Sequence, residues 1–244
     1  MTTLKRMRER WWHEQYHPGA LGLLINPFYF ARRGLLAGLR PYFSELSGEV
    51  LDVGCGSKPY RALVPAIRYT GLDVDNPFTR KVGTADVFYD GGTFPFPDAS
   101  FDAVFCSQVL EHVFNPESFL SEIRRVLRPE GKLLLTVPFA WDEHEQPNDY
   151  ARYSSFGLVA LLDRAGFEVL IHNKTVDNAS AVAQIASAWL FKALRTNNKW
   201  LNLFSQLVFI APTNVAGLVA GAILPRNPDF FLDNVVFAKR RPNP

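Results

Sequence analysis

The stretch at 49–56, Glu-Val-Leu-Asp-Val-Gly-Cys-Gly, constrains the fold of this chain more than any other. Its short apolar run at 50–51 is typical of a buried strand, and the run leads into Asp52, Gly54 and Gly56. Two glycines one residue apart allow a sharp strand-to-helix turn in which the backbone itself can contact a ligand. We therefore predict a ligand-binding loop directly after the first strand.

A second strand-like run, at 69–74, contains an acid close to its end. This acid, Asp73, falls 17 residues after Gly56, which is about the distance at which a ribose-binding acid lies in nucleotide-binding βαβ units. Together, the loop and the acid predict a pocket for a ligand that carries an adenosine group.

The residues after Gly56 indicate which adenosine ligand is expected. A dinucleotide-binding loop has a third glycine at position 59, where the helix packs closely under a pyrophosphate. This chain has Ser-Lys-Pro at 57–59, and Pro59 suits the first position of a helix because its missing N–H has no helical partner there. The loop therefore favours S-adenosylmethionine over NAD(P).

Short apolar runs alternate with helical patterns along the middle of the chain, which predicts an α/β fold with parallel crossovers and helices on both faces of the sheet. Two helices are marked by their ends: one begins at Asn115-Pro116, and the other runs from Ser154 or Ser155 to Gly166. The first has an apolar stripe of Phe119, Leu120, Ile123, Val126 and Leu127. The predicted strands lie near 49–53, 69–74, 83–88, 101–106, 132–138, 167–172 and 234–238.

The composition is that of an ordinary globular protein, with 48% apolar and 20% charged residues. The net charge of +2 is too small to indicate a nucleic-acid partner, although residues 1–40 carry seven Lys and Arg against two Glu. Two cysteines, Cys55 and Cys106, suit a reducing compartment better than a disulfide framework, and no signal-peptide pattern is visible. We expect a cytoplasmic protein, and the sequence does not indicate its oligomeric state.

The residues at 201–224 include no charged side chain, and the run is long enough to span a bilayer. We expect the central Pro-Thr-Asn at 212–214 to break a spanning helix, so the favoured prediction is a pair of helices packed as a cap over the substrate pocket. A surface-bound or re-entrant membrane element, in peripheral contact with the inner face of the membrane, is the second alternative. A true transmembrane span is the third.

Residues 49–167 resemble class I S-adenosylmethionine-dependent methyltransferases, in particular the small bacterial methyltransferase-domain family. The resemblance implies a Rossmann-like, seven-stranded, mostly parallel sheet with one antiparallel strand, at 234–238, and one S-adenosylmethionine at the carboxyl ends of the first strands. Six blocks carry it in family order: Val-Leu-Asp-Val-Gly-Cys-Gly at 50–56, Gly-Leu-Asp at 71–73, Phe-Pro-Phe-Pro-Asp-Ala-Ser-Phe-Asp at 94–102, Val-Leu-Glu-His-Val at 109–113, Glu-Ile-Arg-Arg-Val-Leu-Arg-Pro-Glu-Gly at 122–131 and Leu-Leu-Leu-Thr-Val-Pro at 133–138.

The pattern along the chain, together with this resemblance, predicts four parts. Residues 1–47 form an N-terminal helical segment, and residues 48–177 form the methyltransferase core that binds S-adenosylmethionine. Residues 178–230 form a hydrophobic helical cap or a membrane-associating insertion, and residues 231–244 form the last strand of the core and a tail.

Four residues match cofactor-binding positions of this family. Asp52, Gly54 and Gly56 match the motif whose loop cradles the methionine portion of the cofactor, and an acid there suits its ammonium and sulfonium charges. The alternative for Asp52 is a carboxylate bonded to loop N–H groups. Asp73 matches the acid whose two oxygens accept the ribose hydroxyls.

A third acid lies near the adenine amino group in this family, and two residues of the chain compete for that position. Counting back from the Phe-Pro-Phe block at 94–96 gives Asp90, whereas the predicted strand gives Asp86. We favour Asp90, although the Asp-Gly-Gly sequence at 90–92 is also typical of a simple turn.

The segment at 138–153 is predicted to line the ligand crevice, because loops at the carboxyl edge of an open parallel sheet do so. His144 is the candidate for proton abstraction, since a neutral imidazole is a competent base near pH 7; the alternative is a loop histidine that bonds its own turn. His112 is interpreted as a capping or packing residue, and no metal ligands are expected. The polar and aromatic residues of the segment are Trp141, His144, Asp149, Tyr150, Arg152 and Tyr153.

These observations predict methyl transfer to a small-molecule, sugar or lipid-linked acceptor, most simply at a hydroxyl. An NAD(P)-linked oxidoreductase is an alternative of a different enzyme class. A membrane-associated protein with a non-catalytic S-adenosylmethionine-binding domain is the non-enzymatic alternative.

Overall fold

The computed structural model describes residues 11–242, which divide into two compact units. The basic residues Lys5, Arg6, Arg8 and Arg10 therefore lie outside the described residues. Unit 1 consists of the chain up to Gly38 together with Ala140–Asp142 and Lys174–Asp233, and unit 2 consists of Leu39–Phe139, Glu143–Asn173 and the chain from Asn234 onward.

Unit 2 contains a seven-stranded sheet, as the α/β prediction required. The strands are β1 (Gly48–Val53), β2 (Ala66–Val74), β3 (Val87–Tyr89), β4 (Phe101–Ser107), β5 (Leu127–Pro138), β6 (Phe167–Lys174) and β7 (Asp233–Arg240). Their order in the sheet is β3-β2-β1-β4-β5-β7-β6. The central pairs β1–β2, β1–β4, β2–β3 and β4–β5 are all parallel, so their carboxyl ends meet at one edge.

The last strand reverses direction, which confirms the predicted antiparallel strand. Arg241, just after β7, donates its backbone N–H to the carbonyl of Gly166, just before β6 (3.0 Å). At the other end of the hairpin, Thr175 donates to the carbonyl of Asp233 (2.9 Å). The start of one strand thus pairs with the end of the other, which is the antiparallel arrangement.

The two helices expected beside the sheet are present, as α5 (Pro116–Val126) and α6 (Ser155–Arg164). Ser154 caps α6 by accepting the Gly157 N–H (3.2 Å), whereas the side chain of Asn115 makes no capping bond at α5. Four residues of the predicted apolar stripe lie on α5 and are buried in one cluster with residues of β1, β4 and β5, whereas the fifth, Leu127, is the first residue of β5. Burial of this stripe, at about 25 cal/mol per Å² of apolar area, holds α5 against the sheet.

Two local predictions in the first half of the sheet are wrong. The strand predicted at 83–88 begins only at Val87, because Gly83 ends the preceding helix α4 (Pro77–Val82) with φ 65°. No α-helix follows the loop after β1: residues 54–65 form turns and one 3-10 turn, Arg61–Leu63. Pro59 is therefore not the first residue of a helix, since a crossover this short leaves no room for several helical turns.

Unit 1 is helical. Pro212 does not break the apolar segment, contrary to our expectation. It lies in the first turn of the helix Ala211–Ile223, and a π-helical turn, Gln206–Ile210, joins that helix to the preceding helix, Lys199–Ser205. The continuous helix Lys199–Ile223 has 25 residues and a mean hydropathy of 1.6, so its length and composition would allow it to cross a membrane. The helices are α1 (11–16), α2 (Ala20–Ile25), α3 (Tyr29–Leu39), α7 (Ala179–Ala193), α8 (Lys199–Ser205) and α9 (Ala211–Ile223).

Candidate functional site

The loop after β1 is held at the carboxyl edge of the sheet by its own backbone. The N–H groups of Gly54 and Cys55 both donate to the carbonyl of Leu72 on β2 (2.9 and 3.1 Å). Gly54 has φ 67°, and a Cβ there would lie 2.3 Å from the side chain of Val109, so both conformation and packing exclude a larger residue. Gly56 has φ 47°, but a Cβ there would meet nothing within 4 Å, so the backbone of Gly56 borders open space.

Asp73 lies beside this loop, at the end of β2. Its Oδ2 accepts the Gly56 N–H (3.0 Å), and its Oδ1 accepts the Val74 N–H (2.9 Å). Burial raises the pKa of Asp73, and these two backbone bonds oppose that rise. Each carboxylate oxygen can accept a second hydrogen bond, so Asp73 fits the binding of a ribose diol.

Asp52 faces the neighbouring strand and is 3% exposed. Its Oδ2 accepts the hydroxyl proton of Tyr69 on β2 (2.6 Å). Burial raises the pKa of Asp52 to about 7, although the Tyr69 bond and the charge of Lys58 act in the opposite direction. Near neutral pH this carboxyl group is therefore divided between its protonated and charged forms.

The two competing acids lie at opposite ends of β3. Asp90 follows the strand at the edge that also carries Gly56 and Asp73, and its Oδ1 accepts the Gly92 N–H (2.9 Å), as in a turn. Asp86 precedes the strand, and its Oδ2 accepts the Gly71 N–H (2.7 Å) and bonds Lys58 Nζ (2.5 Å). These two bonds outweigh burial and lower the pKa of Asp86. The position of Asp90 is the one that suits contact with the ligand of this loop.

Sequence reasoning did not identify the role of Lys58. Its φ of 52° places it in the left-handed region, and its side chain crosses Gly71, where a Cβ would lie 2.2 Å from Lys58 Cε. The ammonium group thereby joins the loop after β1 to Asp86. The sequence feature that could have indicated this role is the glycine at 71, because the absence of a side chain there makes space for the side chain of Lys58.

His112 and His144 come together at the same edge of the sheet, from the segments that follow β4 and β5. Their rings pack edge to face with centroids 4.7 Å apart. His112 Nδ1 lies 2.7 Å from the carbonyl oxygen of Asn148, so this ring nitrogen carries the proton when the imidazole is neutral. The carbonyl of Glu111 accepts the N–H of Tyr150 (2.8 Å), which ties the second segment to the first.

Asp149 orients His144. Its Oδ2 accepts the backbone N–H of His144 (2.9 Å) and lies 3.4 Å from Nδ1 of the same ring. Arg152 donates to both oxygens of Asp149 (2.6 and 2.7 Å) and lowers the pKa of that carboxyl group to about 2. Asp149 is therefore charged at neutral pH, and the backbone bond agrees with the alternative that His144 belongs to a bonded turn.

The histidine pair is part of a group that the sequence did not reveal. Glu111, His112 and His144 each offer one potential metal-ligand atom, and these three atoms lie within 4.8 Å of one another. His112 Nε2 lies 3.9 Å from Glu111 Oε1 and 3.9 Å from Glu145 Oε2. Because β4 and β5 are parallel neighbours, the residues that follow them meet at one edge. A sequence-based prediction of this strand order could have indicated that the three side chains lie together.

The histidine group lies close to the loop after β1. Val109, three residues before His112, packs against Gly54, and the charge of Glu145, one residue after His144, contributes to the raised pKa of Asp73. The arrangement therefore combines a glycine-containing loop, an acid suited to a diol and imidazole groups at one edge of the sheet.

The two cysteines do not add a nucleophile to this site. Cys55 and Cys106 are both buried and neither forms a disulfide. Burial raises the pKa of Cys55 to about 12 and that of Cys106 well above its ordinary value. Both thiols therefore stay protonated, and a protonated thiol is a poor nucleophile.

Comparison with known proteins links this arrangement to one kind of chemistry. Residues 51–135 match a family described as a methyltransferase domain. A probable S-adenosylmethionine-dependent methyltransferase of Mycolicibacterium smegmatis is 34% identical over 134 residues, which cover 50% of this chain and 52% of that protein. An O-methyltransferase of Aspergillus nomiae is 30% identical over 155 residues, covering 52% of this chain and 68% of that protein.

A solved structure shows the same fold. An S-adenosylmethionine-dependent methyltransferase of Mesorhizobium loti superposes with a TM-score of 0.54 at 14% identity, covering 86% of this chain and all of that one. The first curated relatives are longer than the matched part, because the chain covers 52%, 61% and 55% of their lengths.

Proposed function

The chain belongs to the class I S-adenosylmethionine-dependent methyltransferases, and from this premise we propose that it methylates a hydroxyl group of a small-molecule, sugar or lipid-linked acceptor. Its cofactor is S-adenosylmethionine. The observation that supports the proposal most directly is the bond between the Gly56 N–H and Asp73 Oδ2, which joins the two family motifs at one edge of the sheet.

In this proposal the loop after β1 and the ends of β2 and β3 hold the cofactor. Asp73 accepts the ribose hydroxyls, and the open backbone at Gly56 accommodates the methionine portion. Asp90 lies near the adenine amino group. Asp52 contributes negative charge beneath the loop whenever it is ionised, which favours a cationic ligand.

The cofactor supplies a methyl group activated by a sulfonium. The acceptor oxygen attacks the methyl carbon in line, a C–O bond forms, the C–S bond breaks and its electron pair stays on sulfur. The hydroxyl proton must leave as the bond forms, and we assign its removal to His144 together with His112. Alignment of the two reactants supplies much of the remaining acceleration.

Relatives with known chemistry support oxygen as one acceptor atom without excluding others. Two of them, from Penicillium expansum and Aspergillus nomiae, are O-methyltransferases, whereas one from Gibberella zeae is a sterol 24-C-methyltransferase. We propose oxygen because the imidazole groups of His112 and His144 can accept a hydroxyl proton. General bases accelerate such a step by about 10²–10⁴-fold.

We further propose that unit 1 contacts a lipid surface at the inner face of the membrane. Polar side chains are buried between its helices: Ser187 Oγ donates to Asn214 Oδ1 (2.8 Å), and Gln184 Nε2 donates to the carbonyl of Pro27 (2.8 Å). Many of its large apolar side chains are exposed, including Trp200 at 68% and Ile223 at 74%. An extended exposed apolar surface of this kind is typical of an interaction site.

The close approach of two helices in unit 1 supports the same proposal. Gly217 and Gly221 lie one turn apart on α9, and a Cβ at Gly217 would lie 2.3 Å from Ala183 on α7. Ser180 Oγ donates to the carbonyl of Gly217 across this contact (3.0 Å). Small residues four apart with a polar group between the helices are typical of helix packing in membranes. A lipid contact would suit an apolar or lipid-linked acceptor.

The two alternative functions are an NAD(P)-linked oxidoreductase and a non-catalytic S-adenosylmethionine-binding protein. Membership of the methyltransferase family and the absence of a glycine at position 59 disfavour an NAD(P)-linked oxidoreductase. A non-catalytic S-adenosylmethionine-binding protein would bind the cofactor product, S-adenosylhomocysteine, without turnover. Intact Asp73 and Gly56 do not distinguish this alternative from an enzyme.

The test incubates the purified protein with methyl-labelled S-adenosylmethionine and a lipid and polar extract from cells that lack it. We expect label in one extracted compound, whose mass rises by one methylene unit, and the label should be stable as an ether. A labelled amine or carbon would contradict the choice of oxygen. Tight binding of S-adenosylhomocysteine with no labelled product in any fraction would favour the non-catalytic alternative.

A further inference from the structure

We propose that Glu111, His112 and His144 form a binding site for one divalent transition-metal ion of the zinc type. The part of the proposal that concerns binding stands on the geometry of these side chains alone. A second part, that the ion holds the acceptor hydroxyl, rests on the function proposed above.

The donor set is suited to such an ion. Two imidazoles and one carboxylate can each supply one atom, and these atoms lie within 4.8 Å of one another. Ligands at about 2.0–2.2 Å from zinc lie roughly 3.4 Å apart in a tetrahedral site, so closure on the ion needs shifts of about 1 Å. Glu145 Oε2, 3.9 Å from His112 Nε2, offers an additional carboxylate at the exposed side.

The ring nitrogens that face away from the group are engaged as they are in metal sites. His112 Nδ1 donates to the carbonyl of Asn148 (2.7 Å), so the lone pair of the neutral ring lies on Nε2. His144 Nδ1 lies 3.4 Å from Oδ2 of Asp149 and 3.4 Å from Nη2 of Arg152. A ligating histidine usually has a carbonyl or carboxylate behind it, and these two have one of each.

The nature of the donors selects the ion. Magnesium and calcium prefer sites made of oxygen atoms, whereas imidazole nitrogen suits zinc, iron and other transition ions. Two histidines with one carboxylate leave at least one coordination position open for an exchangeable oxygen.

The ion would refine the role of His144 in methyl transfer. An acceptor hydroxyl bound at the open position loses its proton to solvent more readily, since a divalent ion lowers the pKa of a bound oxygen acid. The resulting oxygen then attacks the methyl carbon as described above. His144 would act on the hydroxyl through the ion and not as the proton acceptor itself.

Binding is tested with Co²⁺, which absorbs visible light in such sites, and with Zn²⁺ in equilibrium dialysis of the full chain after chelator treatment. We expect one equivalent of Co²⁺ with a visible spectrum, displaced by Zn²⁺. His112→Ala and Glu111→Gln should each weaken Co²⁺ binding by more than about 100-fold, since even outer partners of a metal contribute 10- to 100-fold. His172→Ala is the matched control, because His172 bonds Asn234 elsewhere in unit 2 and should leave binding unchanged.

Folding of each variant is monitored by its thermal midpoint and by its affinity for S-adenosylhomocysteine. Glu111→Gln keeps the volume of the buried side chain, so it serves where an alanine variant is unstable. Absence of Co²⁺ binding by the folded wild-type protein, or unchanged binding by both His112→Ala and Glu111→Gln, would overturn the proposal.

The outcome separates this proposal from the proposed function. If the protein binds S-adenosylhomocysteine and methylates an acceptor equally well with and without chelator, the role of the ion in methyl transfer is wrong and the methyltransferase function stands. If Co²⁺ binds as expected but S-adenosylhomocysteine does not, the metal site stands and the proposed function is wrong.

Discussion

The backbone N–H of Gly56 donates to Oδ2 of Asp73 across 3.0 Å, which links the loop after β1 to the end of β2. Gly56 is in the left-handed conformation, with φ 47°, which glycine adopts at no steric cost. The loop that would hold the methionine portion and the acid that would hold the ribose therefore have a fixed spacing before any ligand arrives. Such pre-organisation lowers the entropic cost of binding.

Replacement of Asp73 tests its role as the ribose acid. Asp73→Ala should weaken the binding of S-adenosylhomocysteine by about 3 kcal/mol, or more than 100-fold, because two hydrogen bonds to a charged group are lost. Isothermal titration measures the affinity directly. Asp75→Ala is the control, since Asp75 lies two residues further on and is exposed and paired with Arg80; equal effects of both variants would rule out a specific ribose contact.

The glycines of the site should differ in their tolerance of alanine. Gly54→Ala should lower the free energy of unfolding by more than 2 kcal/mol, since a left-handed conformation costs about 1–2 kcal/mol and the new Cβ would lie 2.3 Å from Val109. Gly91→Ala, at φ 92° with nothing within 4 Å of its Cβ, carries the conformational cost without the contact. Urea unfolding of both variants gives the comparison, and a Gly91→Ala that is as unstable as Gly54→Ala would contradict the role of Val109.

Asp52 should make the stability of the cofactor-free protein depend on pH. Its pKa is about 7 in the folded state and about 3.8 when unfolded, so the folded state retains a proton that the unfolded state has already lost. The contribution of Asp52 to the free energy of unfolding therefore falls as the pH rises from about 4 to 7 and stays constant above that. Between pH 5 and pH 8, the free energy of unfolding of the wild type should fall by an amount on the order of 3 kcal/mol that Asp52→Asn does not show. The check is urea unfolding of both proteins at the two pH values; parallel profiles would show that Asp52 titrates normally.

The exposed apolar face of unit 1 should bind lipid. A variant with Trp200, Phe204 and Ile223 all changed to Ser should bind vesicles of phosphatidylglycerol and phosphatidylethanolamine at least 10-fold more weakly. The reason is that burial of each large apolar side chain in lipid contributes about 1.5–3 kcal/mol to the free energy of binding. Flotation of vesicles with bound protein measures this. A matched control changes Ile67 and Phe156 to Ser, because these unit 2 residues are 87% and 88% exposed. Equal loss in both variants, or no vesicle binding by the wild type, would contradict a lipid contact.

The correct and incorrect predictions have distinct physical origins. Most of the strands, helix α5 and helix α6 follow from local periodicity and from end signals such as Ser154, so the sequence predicts them well. The absent helix after β1 and the unbroken helix at Pro212 were missed because both depend on context: the length of a crossover in one case, and a π turn that accommodates a proline in the other.

The sequence by itself determined the family, the cofactor, the α/β sheet and the spacing of Gly56 and Asp73, because these depend on residues that are close in sequence or on backbone conformations that glycine permits. Only the tertiary structure decided that Asp90 and not Asp86 shares an edge with them, that Tyr69 buries its hydroxyl against Asp52, and that Glu111 and His112 meet His144. Those relationships join segments from different strands. Their distances depend on which strands are neighbours and where each strand ends, which the side chains of one segment cannot specify alone.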